Sequence, residues 1–295
     1  MMISTPTAKH PEVDEKRDLL LGILADLGSV AVAFSGGVDS TVVAKGAFLA
    51  LGSNAIAITA DSPSVARKDL AEASRLAGLI GIRHEIVQTS EFQDPDYQKN
   101  DGSRCYYCKS ELYSHLVKLA PVMGLKAICS GANLDDLGDY RPGLIAASEK
   151  NVRHPLQEAG FTKKMVRELA QAWGLPNWDR PASPCLSSRL APGVVVTAER
   201  TARIEAAEDY LHRIGFRECR VRLHEGDLAR IEVASKDVAM LAAPELRQDL
   251  VSFLQSLGFR YISLDLEGFR SGNLNALISL DKKKLYSRGI DDNQS

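Results

Sequence analysis

Ser35-Gly36-Gly37-Val38-Asp39-Ser40 follows an apolar run, Val30 to Phe34, and precedes a helix-type segment from Thr41. A strand, a tight glycine turn and a helix N-terminus aim backbone N–H groups at one small volume, and such a volume binds phosphate. The glycines let the backbone approach an anion with no Cβ in the way, and Ser35 and Ser40 can add hydroxyl donors. The string is neither G-x-x-x-x-G-K-[ST] nor G-x-G-x-x-G. A second chemical segment is Arg104-Cys105-Tyr106-Tyr107-Cys108-Lys109. Two thiols at C-x-x-C spacing hold one metal ion or close a disulfide. Placed just ahead of a helix, between Arg104 and Lys109, they are expected as thiolates. A closed zinc site needs two more ligands, and the sequence offers no second C-x-x-C and no H-x-x-x-H. Cys185, far downstream, makes a third thiol, and three ligands with one open position suit a catalytic metal or cluster. Cys129, in an apolar run, is expected in the core, and Cys219 is expected to be structural.

The stretch after Ser130 carries Asp135, Asp136 and Asp139. Carboxylates are the hard oxygen ligands that Mg²⁺ on ATP requires, with Asp136 and Asp139 the candidates; a solvated acidic loop is the plainer reading. Ala60 and Asn133, in neighbouring strand-end segments, are candidate ATP contacts. Arg220 and Arg222 have period-two spacing and so share one face of a strand. Two guanidiniums on one face can clamp a phosphate or carboxylate bidentately, or be ordinary surface arginines. Arg189 and Glu208 are further candidate substrate contacts.

Positioning these residues takes alternating elements. Helices are expected over Asp14–Leu27, Thr41–Ala50, Ser64–Leu79 (capped by Ser64) and Lys109–Ala120 (stopped by Pro121). Strands are expected over Val30–Phe34, Ala55–Ala60, Arg83–Gln88 and Leu125–Ser130. Strands separated by helices imply a parallel, doubly wound α/β sheet. Ligands of such sheets bind beyond the carboxyl ends of the strands, where the loops after Phe34, Ala60 and Ser130 converge. Pro176, Pro181, Pro184 and Pro192 then forbid continuous helix or central strand. That segment reads as a linker that is also an active-site loop. Beyond Gly193 comes a smaller α+β unit. It has a helix over Thr197–Ile214, a hairpin of Glu218–Leu223 and Ala229–Val233, a helical Val238–Leu257 and a strand over Tyr261–Leu266. The expected division is residues 1–180 for the ATP domain and 181–295 for the second domain with the Cys185 loop. The polar tail from Asp291 is expected to fray.

The chain has 295 residues, 45% of them hydrophobic and 25% charged, as in a soluble globular protein. A net charge of −2 gives no general pull toward nucleic acid or anionic membrane. No export signal or membrane-length apolar run stands out. Five cysteines without an export signal imply a reducing cytoplasm.

The Ser35–Ser40 string resembles the PP-loop of the N-type ATP pyrophosphatases. In that superfamily the loop grips the β,γ-pyrophosphate while a substrate oxygen attacks the α-phosphorus, giving an adenylate and pyrophosphate. Together with the Cys105/Cys108 motif, Gly131 to Gly143, and Pro181-Ala182-Ser183-Pro184-Cys185-Leu186-Ser187-Ser188-Arg189, the chain resembles LarE-type sulfur transferases over most of its length. The resemblance implies adenylation of the carboxylates of a pyridinium biscarboxylate mononucleotide and their conversion to thiocarboxylates for the nickel-pincer cofactor of lactate racemase. Members with one cysteine, matching Cys185, sacrifice its sulfur. Members with three resemble cluster-dependent thiolases. The resemblance therefore implies ATP, Mg²⁺ and a [4Fe–4S] cluster on Cys105, Cys108 and Cys185, with a hydrosulfide on the fourth iron. It also implies a homo-oligomer and an external sulfide source. The rivals are a tRNA thiolase, which wants a basic surface this composition lacks, an amide-forming PP-loop ligase, which needs no three cysteines, and a nucleotide-binding or metal-carrier module.

Overall fold

The computed structural model describes residues 11–137 and 142–270. Asp139 and the tail from Asp291 lie outside the described residues. The first half runs α1 (Pro11–Leu27), β1 (Val30–Ala33), α2 (Val38–Leu51), β2 (Ala55–Asp61), α3 (Arg67–Ile80), β3 (Arg83–Gln88), α4 (Pro95–Gln98), α5 (Arg104–Val122), β4 (Ala127–Cys129), α6 (Pro142–Glu149), α7 (Pro155–Glu158) and α8 (Lys163–Ala172). The strands form one parallel sheet in the order β3-β2-β1-β4. A parallel sheet is covered on both faces, and β1 shows it: Val30 and Val32 enter one core with Leu20, Val42 and Leu169, while Ala31 enters another with Leu112 and Leu116. The strand following each crossover is parallel to the one before it, so the intervening helix runs back along the sheet. That direction puts the N-termini of α2, α3 and α5 at the carboxyl edge of the strands.

Local sequence shifts some boundaries. The Cys105 and Cys108 motif was expected ahead of a helix; it forms the first turns of α5, which runs over Pro121 to Val122. Proline is tolerated there because only the final turn loses a bond. Ser64 does not cap α3, whose N-cap position is Ala66; the Ser64 hydroxyl turns inward to Ser62 and Glu91. The helical stretch from Val238 breaks at Ala243-Pro244 into α10 (Val238–Ala242) and α11 (Pro244–Ser256). Proline fits the first turn of the new helix, where its missing N–H is not needed.

The second unit packs α9 (Ala198–Arg213), α10 and α11 on a sheet ordered β5-β6-β7, from β5 (Cys219–His224), β6 (Leu228–Val233) and β7 (Tyr261–Leu264). β5 and β6 are the expected antiparallel hairpin, turned at Gly226 and Asp227 with φ of 71° and 57°. β7 joins β6 in parallel. The core under this sheet reaches back across the linker: Ala66 and Tyr97 belong to it beside Leu186, Val196 and Phe216.

Candidate active site

The phosphate loop is built by its own hydroxyls. Gly36 has φ of 70°, and a Cβ there would lie 3.1 Å from Ala73 Cα. Ser40 Oγ accepts from Ser35 N at 3.3 Å and donates to Gly37 O at 3.0 Å. Thr41 Oγ1 donates to the same carbonyl at 2.8 Å. Gly37 is the N-cap residue of α2, with no side chain to cap the helix, and its own N–H donates to Ser35 Oγ at 3.3 Å. The loop after β4 leans directly on it: a Cβ at Gly131 would stand 2.7 Å from Ser40 N.

Asp39 opens toward that second loop. Asn133 Nδ2 donates to Asp39 Oδ1 at 3.0 Å, and Lys163, at the start of α8, pairs with Oδ2. Lys163 escaped the sequence reading; the signal available was Thr162, whose hydroxyl caps α8 by accepting from Met165 N. The expected Mg²⁺ ligand Asp136 closes a capping box, its Oδ2 accepting from Asn133 N at 3.0 Å, and Asp135 accepts from Lys163 N at 2.7 Å. These carboxylates shape the loop around Asn133. Ala60 is half-buried at the end of β2, beside Asp61, which holds Arg67 and Gln88.

The proline-rich linker is a strap across this edge. It starts at Asn177, whose Nδ2 donates to Gly36 O and to Thr41 Oγ1, each at 3.0 Å. It then crosses the first turn of α3, where Arg180 and Ser183 both bond Asp69. It finishes with Leu186 N on Ser64 O at 2.7 Å. Arg189 turns back on the strap and bonds the carbonyls of Pro184 and Cys185. Beyond it, Tyr97 and Ser187 share a 2.8 Å hydroxyl bond, and Asn100 Nδ2 donates to Ala191 O at 2.8 Å and Val194 O at 3.1 Å.

The strap holds Cys185 within electrostatic reach of Arg104, the first residue of α5. Burial works against the charge on Arg104, but Cys185, Cys105, Tyr97 and Cys108 together raise its pKa. One guanidinium thus feels all three thiols. At Cys108 burial, with the charge of the Glu91 carboxylate, pushes the thiol well above its ordinary value, outweighing Lys109. Burial also holds the Cys129 and Cys219 thiols up at about 12, as core residues. The donors suit an iron–sulfur cluster in kind, because thiolates are its usual ligands. Among the described residues, however, no three His, Cys, Asp or Glu side chains are drawn together closely enough to hold a metal ion.

The arginines divide. A cavity of about 860 Å³ between the strap, α9 and β5 is lined by Arg189, Glu208, Arg220, Arg180, Lys68 and Phe269 among others. Arg189 is buried in a two-pronged pair with Glu208, at 3.0 and 3.2 Å, and Glu208 also accepts from Val221 N. Arg220 lies over the Phe269 ring at 5.0 Å and donates to Cys219 O. Burial and the nearby Arg189 charge lower its pKa. Arg222 does not line the cavity. It is buried against Glu232 Oε2 at 3.0 and 2.9 Å and also reaches Ser188 O. Period-two spacing is silent on how deep each arginine of a strand face sits.

Known proteins bear on this arrangement. The NAD synthase family matches residues 23–101, the span of β1 to β3 and the phosphate loop. The tRNA-specific 2-thiouridylase MnmA of Rickettsia rickettsii is 26% identical over 202 residues, 56% of this chain and 55% of its own. An uncharacterised protein of Synechocystis sp. is 45% identical over 267 residues, 90% of this chain and 99% of its own. The pyridinium-3,5-bisthiocarboxylic acid mononucleotide synthase of Lactiplantibacillus plantarum is 41% identical over 261 residues, 88% of this chain and 94% of its own. That extent takes in the phosphate loop, the strap and the hairpin alike, and the chain belongs to the LarE family of pyridinium-3,5-bisthiocarboxylic acid mononucleotide synthases.

Proposed function

We propose that this chain is an ATP-dependent sulfur transferase. It adenylates the carboxylates of pyridinium-3,5-biscarboxylate mononucleotide and converts them to thiocarboxylates, toward the nickel-pincer cofactor. The observation that carries the reading is the strap, which begins on the phosphate loop at Asn177 and holds Cys185 within electrostatic reach of Arg104, the residue that also feels Cys105 and Cys108. Activation and sulfur transfer thereby share one edge of one sheet.

In the first step, Ser35–Ser40 hold the β,γ-pyrophosphate of ATP through loop amides and the α2 N-terminus. Lys163 adds a cation beside Asp39. A substrate carboxylate oxygen attacks the α-phosphorus, and the bond to pyrophosphate breaks. Asn133 and Ala60 contact the nucleotide, and Asp136 and Asp139 serve its Mg²⁺. In the second step a sulfur nucleophile adds to the acyl carbon, AMP leaves with its bonding electrons, and the thiol proton passes to solvent. A [4Fe–4S] cluster on Cys105, Cys108 and Cys185 would supply an exchangeable sulfide. A second reading, favoured by the absence of a metal-holding side-chain cluster among the described residues, is the one that single-cysteine members of the family use: Cys185 supplies its own sulfur. Its sulfur would form a thioester, then lose its bond to Cβ as the Cα proton leaves, giving thiocarboxylate and dehydroalanine.

Arg220 and the Arg189–Glu208 pair, at the cavity, bind the anionic substrate, with Arg222 holding the strand behind them. Residues 1–180 carry ATP chemistry and 181–295 the substrate and sulfur loop. Self-association, an external sulfide source and action in the cytoplasm belong to the same proposal. No helix among the described residues is long and apolar enough to cross a membrane. The test is pyrophosphate release with the biscarboxylate substrate, followed by mass spectrometry of Cys185 and an iron determination. Release that requires RNA instead would make the chain a tRNA thiolase. Loss of one H₂S mass at Cys185 would select the sacrificial route.

A further inference from the structure

We infer that Asn177 is a positioning residue through which the occupied state of the phosphate loop is felt at Cys185; the inference rests on the proposed ATP chemistry. Asn177 is 3% exposed, and both protons of its amide are spent on the loop, on Gly36 O and Thr41 Oγ1 at 3.0 Å. Its orientation is fixed by these partners: turned over, the amide would set its oxygen against the Gly36 carbonyl. Its Oδ1 is buried with no hydrogen-bond partner. Leaving a buried amide oxygen unpaired is unfavourable, so packing alone would prefer an apolar side chain of this size.

The geometry says what the amide does. Within one planar trans peptide the carbonyl and the next N–H point in opposite directions. Asn177 draws Gly36 O inward, so the Gly37 N–H turns outward, where Ser35 Oγ accepts from it at 3.3 Å and would share it with a bound anion. Thr41 and Ser40 draw Gly37 O inward at 2.8 and 3.0 Å, so the Val38 N–H turns outward. Outward N–H groups are the anion donors of the loop. One side chain of the strap thus helps to aim them. The strap from Asn177 to Cys185 is stiffened by Pro181 and Pro184 and pinned midway by Arg180 and Ser183 on Asp69. A change of loop conformation on binding pyrophosphate therefore has a short, stiff route to Cys185.

The experiment compares wild type with Asn177→Leu, which removes both donors, and with Asn177→Asp, which keeps the size but loses them. Three quantities are measured: the KM for ATP in pyrophosphate release, the KM for the biscarboxylate substrate, and the rate of Cys185 alkylation with and without MgATP, read by peptide mass spectrometry. In wild type MgATP changes the alkylation rate. In both variants the KM for ATP rises tenfold or more, the biscarboxylate KM stays within twofold, and MgATP no longer changes Cys185 alkylation. A variant that keeps the ATP KM and the MgATP effect overturns the inference, and so does a wild type whose Cys185 is indifferent to MgATP. If wild type releases no pyrophosphate with the biscarboxylate substrate, the proposed function fails instead. Circular dichroism and thermal melting identify a variant that has not folded; should Asn177→Leu be one, Asn177→Asp alone decides the outcome.

Discussion

The phosphate loop and the thiol group meet at the same edge of the sheet but are made differently. The loop is six consecutive residues whose function lies in the backbone, set by Gly36 at positive φ and by hydroxyls within the next turn. The thiols come from two separate segments of the chain, and what joins them is a strap that must find the phosphate loop, Asp69 and Ser64 in turn. A backbone site is damaged by adding atoms. A side-chain site assembled at long range is damaged by removing them.

The comparison is broken most sharply at Gly131. Its missing Cβ lies against the backbone of Ser40 and Asp39, at 2.7 and 3.0 Å, where neither can yield without moving the loop. Gly131→Ala is expected to lower pyrophosphate release by about a hundredfold or more, as misplacement of about 1 Å does. Gly37→Val is the milder change, because a Cβ at Gly37 meets only the Ser35 hydroxyl, at 3.3 Å. Equal activity of the Gly131 variant and wild type in a pyrophosphate assay would dissolve the distinction between the two regions.

Atom removal sharpens it from the other side. Cys185→Ala should abolish thiocarboxylate formation while pyrophosphate release continues at a rate near that of wild type. If both fall together, activation depends on the thiol and the two sites are one.

The two arginines of β5 make the next test. Arg222→Met removes the buried ion-pair partner of the fully buried Glu232 carboxylate, which also pairs with Arg230 at 3.1 Å. Breaking a buried pair costs about 3–5 kcal/mol, to be read as a lowered denaturation midpoint. Arg220→Met leaves stability nearly intact and raises the biscarboxylate KM by about tenfold, since a charge-assisted contact is worth roughly 1.5–3 kcal/mol. Matching stability losses in the two variants would deny that one arginine is structural and the other exposed to ligand.

The smallest effect is pH. Burial holds His154, His84 and His224 below the ordinary histidine range. Above an unfolded pKa of about 6.5 these groups are neutral in both states. As pH falls below that value the unfolded chain takes up protons that the folded chain resists, so stability declines until the lower folded pKa values are passed. Thermal melting at successive pH values should show this decline, and His154→Gln should reduce its slope, because His154 is half-buried on Ser130. An unchanged slope would show that His154 titrates alike in both states.

Legibility followed the same division. The parallel sheet was readable because Val30–Ala33 and Ala55–Asp61 are apolar runs bounded by turns, and the loop because its residues are contiguous. Arg104–Cys108 was misplaced ahead of its helix because no side-chain cap marks the start: Ser103 makes no capping bond. Arg220 and Arg222 share a strand face, but the depth that separates them depends on Glu232 of the neighbouring strand, a partner that residue spacing does not reveal. Lys163 and Asn177 carry no motif of their own. Lys163 matters through Asp39, and Asn177 through Gly36 and Thr41, across more than a hundred positions of chain.

The core of the second unit includes Ala66 and Tyr97. A ribosome finishes those residues long before β5 appears, and N-terminal units generally fold first during synthesis. The earlier half therefore waits with an apolar surface that only the later half can cover. Residues 181–295 made separately would lack the Tyr97 ring and the Asn100 amide that hold Ser187, Ala191 and Val194. The first half thus supplies part of the core on which the second half closes.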